Sequence, residues 1–203
     1  MSLSVGDLRA AIDRLTTAMQ RDFDALNAAD GALGDGDLGV TMSRGMTAIS
    51  ELAPTLPDDL GQALFACAQA FTKTSGSSYG TLMATGLMSA AKALKGRTTV
   101  EAAEVSALIA GARDAMQARG KADLGGKTVL DSLDAMACAT AGLSDPAAVA
   151  DAAADAARDA QAALRDRPAT VGRARIFGDR TIGMDDPGMM AMTAIAAAVA
   201  GRG

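Results

Sequence analysis

Residues 5–28 read VGDLRAAIDRLTTAMQRDFDALNA, and Leu8, Ile12, Leu15, Met19, Phe23 and Leu26 recur along them at three- and four-residue spacing. That period puts six apolar side chains on one face of an α-helix, with charged residues on the other. The same reading extends to the rest of the chain, which glycine and proline clusters cut into about eight stretches of helical length. The first is Val5 to Ala28. The second follows Gly39 and reaches about Leu52, where Pro54 and Pro57 close it. The others run from Asp58 to about Thr72, Tyr79 to Leu94, Val100 to about Ala118, Thr128 to Ala141, Pro146 to about Leu164 and Pro187 to Ala200. Pro146 and Pro187 each stand behind an aspartate able to cap the first turn. No stretch reads as a convincing strand.

Composition supports an all-α chain. Of 203 residues, 49% are hydrophobic and only 2% aromatic, with no Trp and one Tyr. Alanine supplies close to a quarter, which favours close-packed helices over a sandwich or barrel of strands. The length suits one domain, residues 1–203. Histidine is absent, which excludes a His-based triad, a phosphohistidine carrier and any metal site built on imidazole. A net charge of −5 argues against a nucleic-acid backbone as partner. The longest apolar stretch, Met189 to Ala200, is too short to span a bilayer, and charges at Asp7, Arg9, Asp13 and Arg14 break any leader-like segment. The expected compartment is the cytoplasm, without membrane attachment. Cys67 and Cys138, each in an alanine-rich helical pattern, read as small buried hydrophobes in a reducing environment.

The junctions between helices differ in kind. Those at Pro54 to Pro57 and Gly142 to Pro146 are plain turns. Ala29 to Gly39, Thr72 to Gly80, Gly120 to Lys127 and Gly172 to Gly188 are richer in Gly, Asp, Ser, Thr and Arg than a connector requires. In an up-and-down bundle, alternate junctions return to the same end. The expectation is therefore a closed bundle or barrel of eight antiparallel helices with one decorated end.

The first of these segments carries Asp30, Asp35 and Asp37 among four glycines. Three carboxylates so close repel one another unless a cation neutralises them, and hard oxygen donors suit Mg2+ or Ca2+. An EF-hand is excluded, because position twelve falls on Met46 counting from Asp35 and on Thr41 counting from Asp30, where a bidentate Glu is needed. The alternative is a solvated turn whose aspartates cap helices. The second segment, Thr72-Lys-Thr-Ser-Gly-Ser-Ser-Tyr-Gly80, offers hydroxyls and backbone donors ahead of a helix N-terminus, a place that favours phosphate, although a flexible Ser/Gly turn has the same composition. It lacks the P-loop pattern. The last segment holds Arg173, Arg175 and Arg180, whose planar forks match phosphate oxygens or pair with Asp179 or Asp185 within the loop.

In this order the segments resemble the nucleotide-binding L subunit of the dihydroxyacetone kinase family. The resemblance is carried by Asp30-x4-Asp35-Gly-Asp37-x-Gly39, by Thr74-Ser75-Gly76 with Tyr79-Gly80-Thr81, by Gly120 with Gly126-Lys-Thr-Val-Leu-Asp131, and by Gly172-Arg-Ala with Gly178-x-Arg180-x-x-Gly183-x-x-Asp186-Pro-Gly188. It spans nearly the whole chain. The chain differs from the family at Leu38, commonly His, and at Thr72-Lys73, commonly Gly-Gly.

The resemblance implies an eight-helix barrel that holds ADP or ATP at one end, with two Mg2+ ions on the residues matching Asp30, Asp35 and Asp37. It implies nucleotide contacts at Leu38, Gly39, Thr41, Thr74, Ser75, Gly76, Gly120, Val129, Arg173, Asp186 and Gly188. The implied activity is phosphoryl transfer to a short ketose held by a separate K-type substrate-binding subunit, with a protein of the phosphoenolpyruvate phosphotransferase system as a further donor partner. No single side chain is assigned as catalytic. The departures extend the acceptor to another short sugar or polyol such as a tetrulose, and a non-catalytic ADP-sensing subunit is a second reading. A dimer of this chain is compatible with the resemblance.

Overall fold

The apolar stripe of residues 5–28 folds as two helices in place of one. The structure, a computed structural model, describes residues 1–202. Helix α1 spans Val5–Arg21 and α2 spans Phe23–Leu33, with Asp22 between them at φ −91° and ψ 5°. The break is slight: the Asp22 N–H still donates to Ala18 O at 3.0 Å, and Leu26 N–H donates to Asp22 O at 2.9 Å. α2 runs five residues beyond the expected end, so Asp30 sits on a helix and not in the following loop. The remaining helices are α3 (Leu38–Leu52), α4 (Leu60–Thr74), α5 (Ser78–Ala93), α6 (Val105–Gly120), α7 (Val129–Thr140), α8 (Pro146–Leu164) and α9 (Pro187–Val199), giving nine among the described residues.

Short polar side chains start most of them, satisfying N–H groups that no helical carbonyl reaches. Asp59, Ser77, Thr128, Asp145 and Asp186 accept from Gln62, Gly80, Leu130, Ala148 and Met189 N–H respectively. The Asp7 carboxylate accepts from both the backbone and the hydroxyl of Ser4.

Two strands do form, against expectation. β1 (Ser2–Ser4) and β2 (Thr99–Glu101) pair antiparallel, with Leu3 opposite Val100. This pairing removes Val100 and Glu101 from the predicted fifth helix, which begins only at Val105.

Around the molecule α1 packs on α3, each helix from α3 to α9 packs on the next, and α9 returns to α1, so eight helices close a ring with α2 set against α3 and α9. Two apolar groups fill it. Ile12, Met19, Met42, Met46, Leu60 and Phe71 lead the first, on α1, α3 and α4. Met116, Leu130, Leu133, Met136 and the small residues Ala153, Ala154 and Ala157 of α8 make the second. Ile195 of α9 and Tyr79 and Met83 of α5 touch both. Cys67 is buried as expected, whereas Cys138 is exposed, because it lies on the outer face of α7.

The plain end is closed by direct bonds between turns. Arg9 donates to Ala53 O and Leu56 O at 2.9 and 2.7 Å, Leu60 N–H donates to Arg97 O at 2.7 Å, and Gly96 N–H donates to Asp59 at 2.9 Å. The four long junctions meet at the opposite end.

Candidate functional site

A cleft of about 900 Å³ opens at that end, lined from all four long junctions: Asp30 to Leu38, Ser77 to Tyr79, Gly120 to Val129, and Thr170 to Gly188. Gathering alternate junctions on one cavity is what an up-and-down ring dictates.

Asp30 projects from the last turns of α2, Asp35 from the linking turn, and Asp37 from the residue that precedes α3. The turn is tight. Gly36 has φ 75°, and Asp37 N–H donates to the Asp30 carboxylate at 2.9 Å. At Gly39 a Cβ would lie 2.2 Å from Phe23 O and 2.8 Å from the Asn27 side chain, so only glycine lets α3 start this close to α2. The result brings one carboxylate oxygen of each aspartate within 4.8 Å of the others.

Arg173 forms an ion pair with Asp35 and holds its carboxyl below the usual range. Asp37 is pushed the other way, by burial first and then by the charges of Asp35 and Asp30. One guanidinium therefore faces three carboxylates, and the excess negative charge is what a divalent cation would neutralise. Oxygen-only donors, two of them half-buried, fit Mg2+ and leave coordination positions for ligand oxygens.

On a second wall, Ser77 caps α5, and the first residues of that helix, Ser78 and Tyr79, line the cleft at the helix end where N–H groups lack helical partners. Its hydroxyl accepts from Thr41 at 3.0 Å and lies 3.4 Å from Ser75. Within the predicted segment the cleft is thus lined by Ser77 and Ser78. Thr74 bonds back to Ala70 O and Phe71 O at the end of α4, Ser75 stands behind Ser77, and Gly76 has open space around it. Gly39 and Thr41 are buried behind Leu38, which does line the cleft.

The third wall holds Gly120, Val129, Arg173, Asp186 and Gly188, five of the residues named from the sequence, together with Arg175. Arg180 does not join them; it lies over the Phe177 ring at 5.5 Å. Tyr79 donates its hydroxyl to Gly188 O at 3.0 Å, fastening α5 to the start of α9. Asp186 caps α9 through Met189 N–H at 2.8 Å, and burial raises its carboxyl to about 6. Leu33, Leu82, Val129 and Val171 give the cavity an apolar side.

Sequence reasoning missed Ser77 and Ser78, although the serine three residues before Gly80 has the spacing of an N-cap. It also missed Leu124 and Ile176, which line the cleft while exposing 44% and 78% of their surface. Chemically, the arrangement offers an acidic cation cradle, the N-terminus of a helix and the guanidinium groups of Arg173 and Arg175 around a space with an apolar flank. That combination suits a polyphosphate carrying an aromatic or aliphatic group.

The family model "DAK2 domain" matches residues 32–201. The chain is 30% identical over 209 residues to the PEP-dependent dihydroxyacetone kinase, ADP-binding subunit DhaL, of Escherichia coli (strain K12), covering 97% of this chain and 99% of that subunit. It is 35% identical over 195 residues to the triokinase/FMN cyclase of Rattus norvegicus, covering 93% of this chain but 33% of that protein. Among solved structures, the dihydroxyacetone kinase from C. freundii in complex with AMP-PNP and Mg2+ superposes with a TM-score of 0.74 at 24% identity, over 96% of this chain and 33% of that one. The chain thus spans nearly all of the bacterial subunit and about a third of the longer kinases. No helix among the described residues is long and apolar enough to cross a membrane.

Proposed function

The chain belongs to the DAK2 domain family, and from that membership we propose that it is the nucleotide-binding subunit of a dihydroxyacetone-type kinase. Residues 1–203 act as one unit that holds ADP or ATP in the cleft. The phosphoryl group goes to a short ketose carried by a separate K-type subunit, and a phosphotransferase-system protein serves as donor partner. The working compartment is the cytoplasm.

The observation that carries this reading is the convergence of Asp30, Asp35 and Asp37 on a cleft whose facing loop carries Arg173. Asp30, Asp35 and Asp37 would hold two Mg2+ ions, whose charge would offset that of the phosphates when the nucleotide is bound. The residues of the chain position and screen. Arg173 meets phosphate as a fork, and the N-terminus of α5 supplies N–H donors to a second phosphate. Leu38, Gly120, Val129, Asp186 and Gly188 border the nucleotide, while Gly39, Thr41, Thr74, Ser75 and Gly76 shape the backbone behind it. In-line transfer asks little covalent chemistry of the protein and depends on orientation and exclusion of water. The exposed Leu124 and Ile176 at the mouth are the surfaces a docked K-type partner covers, closing the site to solvent.

Calorimetric titration of ADP with Mg2+ and with a chelator in its place tests the proposal. Binding that requires Mg2+ is expected, with turnover only when a K-type partner and phosphoryl donor are added. Equal binding in chelator, or none in Mg2+, defeats it.

A further inference from the structure

Lys127 belongs to the Gly126-Lys-Thr-Val-Leu-Asp131 segment, yet its side chain does not line the cleft. It is 2% exposed and has φ 61°, a left-handed conformation that a side-chain-bearing residue adopts only when its surroundings impose it. Its ammonium donates to three backbone carbonyls, Arg165 O at 2.8 Å, Arg167 O at 3.0 Å and Thr181 O at 2.8 Å. A lysine ammonium has three donors, so none is left for a ligand.

Those carbonyls lie on the two limbs of the segment that leaves α8 and returns toward α9. Its base is closed by Gly183 N–H to Arg165 O at 3.0 Å and Arg165 Nε to Gly183 O at 2.8 Å. Just inside, the buried Thr181 hydroxyl accepts from Ala169 N–H and donates to Gly178 O, each at 2.7 Å. Thr170 N–H donates to Gly126 O at 3.3 Å. Farther out, Ala169, Ala174, Phe177 and Met184 rest on Leu33 of α2, three residues beyond Asp30. Arg173, at the far side of the segment, then meets Asp35.

Resting on the kinase reading above, we infer that Lys127 is a positioning residue for phosphate recognition: by tying both limbs of the 165–183 segment to the start of α7, it sets Arg173 over the aspartate cluster. Arginine cannot replace it, because a planar fork does not converge on three carbonyls arranged about one tetrahedral nitrogen.

The test uses the whole chain and the variants Lys127→Met, Lys127→Arg and Arg173→Ala, with the Lys127→Met/Arg173→Ala pair. ADP affinity in Mg2+ is read by calorimetry and backbone protection by hydrogen exchange. Lys127→Met is expected to weaken ADP by about tenfold or more, the change in Kd that about 1.4 kcal/mol of lost interaction produces. Exchange is expected to rise across 165–183 while residues 53–61 stay protected, and Lys127→Arg should not rescue. The double variant is expected to bind no worse than Arg173→Ala alone, because both act through one guanidinium. Losses that add in the double variant, or a Lys127→Met protein with wild-type affinity and protection, overturn the inference. Should Lys127→Met not fold, Thr181→Val loosens the same limbs and must show the same non-additivity with Arg173→Ala. A wild-type chain without Mg2+-dependent ADP binding defeats the kinase reading and this inference with it; additive losses in a wild type that binds defeat this inference alone.

Discussion

The two ends of the barrel solve opposite problems with the same helices. At the plain end, turn carbonyls and N–H groups are matched directly, through Arg9 to Ala53 and Leu56 and through Leu60 to Arg97. Gly61 there lets its helix touch the backbone at Ala91 and Lys95. At the cleft end, three carboxylates share one guanidinium and the N-terminus of α5 borders an open space. One end places its polar groups where they stabilise the fold, and the other keeps them available. Stability and binding should therefore respond to substitutions at different ends.

The sharpest break of that contrast comes from Asp37→Asn. It removes a cation donor, so Mg2+-dependent ADP affinity should fall by about 10² or more, as losing one well-placed electrostatic partner does. The metal-free Tm should hold or rise slightly, since repulsion and burial already disfavour the Asp37 charge. Calorimetry and a thermal melt on one preparation check both; a large drop in Tm contradicts the division between ends. The converse is Gly61→Ala. Its Cβ would stand 2.6 Å from Lys95 backbone atoms, an overlap expected to cost about 1–3 kcal/mol, seen as a fall in Tm with ADP affinity unchanged.

The smallest effect tests a group serving both purposes. Asp186 caps α9 and lines the cleft, and its carboxyl is raised from 3.8 to about 6. A raised carboxyl favours the protonated fold, so its contribution to stability is full below about pH 4 and is lost as pH rises through about 6. Asn caps as well as Asp and does not titrate. Asp186→Asn should gain in Tm over the parent between pH 4 and 6 by a few degrees, then keep a constant lead. Melts across pH 4–8 measure this, and a lead that shrinks as pH rises contradicts it.

Features governed by near neighbours were legible in the sequence. The helical stripes follow from side chains three and four residues apart, and the aspartate cluster lies within eight residues, so spacing alone announced both. The break at Asp22 was hidden because the backbone keeps a helical hydrogen bond through it and the apolar period continues. Strands of three residues have too little alternation to read, and β1 finds its partner about a hundred residues away. The stretch from Thr72 to Tyr79 offers several hydroxyls, and only the geometry of α4 ending at Thr74 makes Ser77 the cap. Lys127 was opaque for another reason: its partners are carbonyls 38 to 54 residues distant, and any residue type supplies those.

Both described ends of the chain sit away from the mouth. Met1 O accepts from Ala102 beside the short sheet, and Arg202 reaches back to Asp151 and Asp155 in the first half of α8. A tether at either extremity would therefore hang from the closed base of the barrel, so the molecule can be anchored to a sensor surface, or joined in tandem to another protein, with its opening turned outward.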